Sequence, residues 1–207
     1  KIEDRWGNPC FNLKKKFELI QSGRIKKTSG FPQFENGRSI LEFSASEGTN
    51  FIEIRYGKLV AISNPITARL QFENSHYWAD LHGQSDETVG TSTIDQYFDF
   101  GRKYGFLDVA GHQGNDFQIS NEFWKKINRT TKATTEDDKF VAFPGYEWSG
   151  NTSNGGDRNV YHLNENQKLV RSSHALVGGV SDIQTDESIV EGLFRKMNPK
   201  NTLIVAH

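Results

Sequence analysis

One cysteine, Cys10, stands in a chain of 207 residues, so no disulfide can close within it and its redox compartment is left open. Equally missing is any apolar run of the roughly 18 residues that a membrane span requires. Neither sign of charge is in excess: 25 Lys and Arg face 26 Asp and Glu, a net of -1. Such a balance exerts no general pull on nucleic acid or an anionic membrane, so neither is an expected partner. A charged ligand has to be held by a local site. The Gly-Lys-Ser/Thr of a phosphate loop is absent as well, because the stretch SGNTSNGGD at 149–157 is rich in Gly and Asn but has no lysine. There is no internal repeat and no signal-peptide pattern. The chain opens at Lys1 and stops on the strand-like run NTLIVAH. From this we expect a piece of a longer protein, with the rest of its C-terminal part as a partner. The compartment, cytoplasm or periplasm, stays open.

Hydrophobic residues make up 35 % of the chain and aromatic ones 12 %, with 15 Phe and 4 Trp, enough for a core that is largely aromatic. Two textures divide it. Over residues 1–75, the basic amphipathic run FNLKKKFELIQSGRIKK precedes RSILEFSA, NFIEIRYG and KLVAISNPITARLQF, which alternate apolar and polar residues between Gly, Asn and Ser. These runs predict a β-rich accessory segment of short antiparallel strands. The Lys14, Lys15, Lys16 cluster reads as a solvated face.

From residue 76 to 207 the rhythm changes. YWADLHG, FLDVAGH, KFVAFPGYEWS, RNVYHL and TLIVAH read as strands. TSTIDQYFDFGRKYG, SNEFWKKINRTTKATT and DESIVEGLFRKMN read as helices, the first with a Thr or Ser cap and a closing Gly. Strands alternating with helices predict an α/β unit with parallel strands. His82 and Gln84 end the first strand, His112 the second, Glu147 the third and His207 the last. Residues two apart on a strand share a face, so His82 and Gln84 are expected to aim at one point. Imidazoles and a carboxylate converging where parallel strands end suit a Zn, Mn or Fe ion. His76 and His162 fall outside this pattern and are read as structural.

Together DLHGQS, FLDVAGHQGND, FPGYEWSG, GGDRNV and LIVAH resemble the PHP superfamily, named for polymerase and histidinol phosphatase domains, and within it a bacterial branch of PHP-like proteins. In that branch a β-rich segment ends in a SNPI-like phrase, here Ser63 to Ile66, before the strand carrying Trp78 to Ser85. The resemblance covers residues from about 59 to 207. It implies the N-terminal portion of a distorted (β/α)7 barrel that holds two or three divalent metal ions. It also implies that His82, Gln84, His112, Glu147, Asp157 and His207 are ligands, with Glu147 bridging two ions. The chain departs from the family in having Gln84, Gly111 and Asp157 where a His, an Asp and a His are usual. Asp157 in place of a His makes the set harder and friendlier to Mn than to Zn.

The activity implied is hydrolysis of a phosphate ester by metal-activated water. Arg158 is a candidate to hold a phosphoryl oxygen and His174 a candidate proton donor or substitute ligand. Asn115, Asp116 and Trp148 are candidates to line a small-molecule, oligosaccharide or phosphate-ester site. Two alternatives stand beside this reading. One is a hydrolase or lyase acting on an amide, lactone or glycan; the other is a binding module without catalysis.

Overall fold

The computed structural model describes residues 1–13, 17–22, 25–27, 34, 37–71, 73–179 and 181–207, and the Lys14 to Lys16 cluster lies outside them. The chain divides into two units, Lys1–Ser75 and His76–His207. Among the described residues no helix is long and apolar enough to cross a membrane.

In the first unit the described strands are β1 (Glu18–Ser22), β2 (Ile25–Lys27), β3 (Phe43–Ala45), β4 (Gly48–Tyr56), β5 (Leu59–Ile62) and β6 (Ile66–Ala68). β4 is the centre: β1, β5 and β6 all pair with it antiparallel, while β2 and β3 form a second antiparallel pair. The two-residue turn Gly57-Lys58 joins β4 to β5, and Gly57 takes φ 62°, a left-handed conformation that glycine adopts without steric cost. Phe17 stacks on Phe34 and Tyr56 at centroid distances of 4.2 and 4.7 Å. Ile25 and Ile52 are the buried apolar residues among those described here, and all of β5 is exposed.

The second unit contains β7 (Ala79–Gly83), α1 (Ile94–Phe100), β8 (Val109–His112), α2 (Asn121–Thr134), β9 (Val141–Phe143), β10 (Gly145–Trp148), β11 (Arg158–His162), α3 (Val190–Lys196) and β12 (Thr202–Ala206). Thr93 caps α1 in a reciprocal capping box with Gln96, and Ser120 caps α2 through the Phe123 amide, so orphan N–H groups at each start are satisfied. A turn of π-helix, Gly101–Gly105, extends α1 to the Gly that closes the predicted segment. Ile94, Phe98, Ala110, Ile127, Tyr146, Trp148 and Leu193 belong to one apolar core.

The expected (β/α)7 barrel is not what forms. β7, β8 and β9 pair parallel, but β10, β11 and β12 make an antiparallel sheet, and among the described residues no barrel closes. Pro144 marks the change. It has no N–H to give a ladder, and it splits the single predicted strand KFVAFPGYEWS into β9, on the parallel sheet, and β10, on the antiparallel one. The Gly- and Asn-rich stretch 149–157 then acts as the connection of a β10–β11 hairpin.

Candidate metal centre

Register on the antiparallel sheet sorts its residues into two faces. Tyr146, Val160 and Ile204 are directly opposite one another and face the core; Glu147, Asn159 and Val205 are opposite one another on the other face. His207 follows Val205 by two and keeps to that second face. Tyr146 and Trp148 are fully buried, so the strand that carries Glu147 is anchored on both sides of it by core aromatics.

β7 brings His82 to this face by an irregularity. Its register with β8 runs Ala79 to Val109 and Asp80 to Ala110, then Gly83 to His112, so β7 spends one extra residue between Asp80 and Gly83. Such a bulge re-aims side chains and breaks their alternation. β11 secures it, because the Tyr161 hydroxyl donates to the Leu81 carbonyl at 2.7 Å. Gly83 is required nearby, since a Cβ there would lie 2.0 Å from the Tyr97 ring.

The outcome is a cluster of His82, Glu147 and His207, whose ligand atoms all lie within 4.8 Å of one another. His82 Nε2 is 3.5 Å from Glu147 Oε2, and His207 Nδ1 is 3.1 Å from Glu147 Oε1. The two imidazoles stack with centroids 4.4 Å apart and planes 10° from parallel. Asn159 Oδ1 lies 2.9 Å from His82 Nδ1, and the His207 amide donates to the Asp157 carbonyl. Glu147 is buried, while the His82 and His207 side chains are 36 % and 45 % exposed. The carboxylate therefore forms a floor, and the imidazoles open to solvent.

The other expected ligands are placed elsewhere. Gln84, past the bulge, accepts from the Thr88 hydroxyl instead of sharing the aim of His82. His112 alternates with Gly111 on β8 and shares the core side with Ala110, where both are fully buried. Its Nδ1 accepts from the Gly114 amide, so Nε2 carries the hydrogen toward Ser85 Oγ at 2.9 Å, and neither nitrogen is left for an ion. Burial pushes its pKa down to about 4. Gly111, where the resemblance leads one to expect an acid, faces Tyr161, whose ring would lie 3.3 Å from a Cβ at that position. Asp157 is outside the cluster and offers its backbone carbonyl to His207.

The expected substrate residues are similarly occupied. Arg158 pairs in register with Trp148 and Ala206, on the face opposite Glu147, and donates to the Asp157 carbonyl at 2.7 Å. Trp148 is in the core with its indole N–H on the Glu187 carbonyl, so it is not open for stacking on a ligand. Asp116 is fully buried and accepts the Ser149 and Ser172 amides, fastening two loops; burial raises its pKa. Asn115 bridges to Glu147 through the backbone and donates to Ser149.

His174 is held between Asp186 Oδ2 at 2.6 Å and Asp182 Oδ1 at 3.0 Å. Arg171, fully buried, binds Asp182, Asn121 and the Ile119 carbonyl from the same network. Hydrogen bonds that the imidazole donates to Asp186, then to Asp182, raise the His174 pKa. Sequence reasoning overlooked Asn159. Reading RNVYHL as the hairpin partner of GYEW would have set Asn159 opposite Glu147.

No family model and no solved structure matches the chain. It is similar to an uncharacterised protein of Chlamydia pneumoniae, at 28 % identity over 109 residues, which is 51 % of this chain. The chain spans 17 % of that relative's length.

Proposed function

We propose that the protein is a metal-dependent hydrolase whose ion is held by His82, Glu147 and His207. The observation that carries this is the spacing of their donor atoms. A tetrahedral ion with arms of 2.0–2.2 Å sets its ligand atoms about 3.3–3.6 Å apart; His82 Nε2 lies 3.5 Å from one Glu147 oxygen, His207 Nδ1 lies 3.1 Å from the other, and the three ligand atoms gather within 4.8 Å. Two or three ions were expected from the PHP resemblance. Among the described residues, the three donors of this cluster are the complement of one ion with an open position.

Held by these three residues, a divalent ion would lower the pKa of a bound water to roughly 7 and so would supply hydroxide at neutral pH. Around it, Glu147 provides the negative charge that offsets the cation, and its burial keeps competing water from its back. The exposed sides of His82 and His207 leave the approach for a substrate. A phosphate ester is the substrate class favoured by the motif likeness to PHP proteins. The donor set favours a second reading, since two His and one Glu is also the arrangement of zinc hydrolases that act on peptide carbonyls.

The test is metal analysis of the purified protein after titration with Zn, Mn or Fe, followed by assays on phosphomonoesters, phosphodiesters, amides and lactones. One equivalent of metal and phosphate release support the first reading; activity confined to amides or lactones supports the second. Failure to retain any of the three metals removes both.

A further inference from the structure

We infer that Asn159 is the positioning residue of this centre: it fixes the tautomer and ring orientation of His82, so that Nε2 offers its lone pair beside Glu147. The inference rests on the metal reading above for its functional meaning, but not for its geometry. Asn159 is 8 % exposed and directly opposite Glu147 on the sheet, so its amide cannot swing into solvent. Its Oδ1, which only accepts, lies 2.9 Å from His82 Nδ1. Nδ1 must then carry the hydrogen, and in the neutral ring Nε2, 3.5 Å from the carboxylate, is the nitrogen that keeps its lone pair.

An imidazole lacking this partner has a competing arrangement. It can protonate Nε2 instead and donate to Glu147, which blocks both the nitrogen and the carboxylate lone pair that an ion needs. The other imidazole is held differently. His207 is tied through its own amide to Asp157 and by its ring stacking on His82. β11 thus controls the bulged end of β7 twice, with Tyr161 on the Leu81 carbonyl and Asn159 on the His82 ring. Histidines that ligate metals generally donate their second N–H to such a partner, and removing it typically costs 10–100-fold in metal affinity.

The experiment compares the unsubstituted protein with Asn159→Leu and Asn159→Asp, by two readouts. Nitrogen-15 NMR of the metal-free proteins reports the His82 tautomer. Zinc titration reports affinity. The expected result is Nδ1–H on His82 in the unsubstituted protein and in Asn159→Asp, whose carboxylate still accepts, with zinc affinities within about threefold of each other. In Asn159→Leu the tautomers mix and affinity falls by about 10–100-fold. An Nε2–H tautomer in the unsubstituted protein, or no change of tautomer and affinity in Asn159→Leu, overturns the inference. Should Asn159→Leu fail to fold, a tenfold loss of affinity or a switched tautomer in Asn159→Asp overturns it equally. Absence of zinc binding in the unsubstituted protein would remove the metal reading alone, because the NMR readout still decides what Asn159 does to His82.

Discussion

His82 and His174 each lie against carboxylate oxygens, yet their surroundings differ in what remains available. At His174 both ring nitrogens meet an aspartate, and a fully buried arginine holds one of those aspartates from behind. The side chain is 4 % exposed. Both ring nitrogens of His174 and three groups of Arg171 are engaged there, and they fasten the connection between β11 and α3 onto the core. At Glu147 two imidazoles share one carboxylate and stay partly open to solvent. The comparison teaches that the proposed metal centre differs from a clasp in its reach to solvent, and that the same residue types with both ring nitrogens paired fasten a loop instead.

The comparison is broken most severely by Glu147→Gln. Removing the shared charge is expected to weaken zinc binding by more than the roughly 100-fold that changes behind a ligand cost, with the denaturant midpoint little changed. Retained binding would show that the cluster is only another clasp. The opposite behaviour is expected of Arg171→Met. Loss of one partner from a buried ion pair costs about 3–5 kcal/mol, read as a lower midpoint in urea unfolding, while zinc affinity holds.

A third prediction concerns the buried imidazoles outside both clusters. Burial pushes the His112 and His162 pKa values down to about 4. Unfolded imidazoles take protons near pH 6.5 and these do not, so stability is present above pH 6.5 and is lost as pH falls toward 4. His162→Leu should remove one proton from that slope, measured by urea unfolding across this range. An unchanged slope would contradict the burial account.

The smallest effect expected is on the alkaline side. His174 has its pKa raised, so its contribution is fully present below pH 6.5 and fades as pH rises through the higher folded value. His174→Gln should flatten that decline. An equal decline in both proteins would remove His174 from the clasp's pH dependence.

Much of the local structure was legible. The Thr or Ser cap announced α1, and reading strand ends for donors reached His82, Glu147 and His207. The architecture was not legible, because alternating strands and helices do not specify strand direction. β11 and β12 are separated by α3 and still run antiparallel, and Pro144 divides what reads as one apolar strand. Those tertiary choices decide the faces. They send His112 inward with Ala110 and put Arg158 behind the sheet. They also bring Asn159, an unremarked residue between Arg158 and Val160, beside the centre. The bulge in β7 is likewise invisible in ADLHG, since nothing in those five residues marks where pairing slips.

That slip makes the centre sensitive to strand length as well as to side-chain chemistry. Deleting Leu81 would leave every donor in the chain intact and let β7 pair with β8 residue for residue. The imidazole would then rotate to the neighbouring side of the ribbon and part from its carboxylate. A drifting sequence could thus extinguish this centre without altering any of the three side chains that compose it.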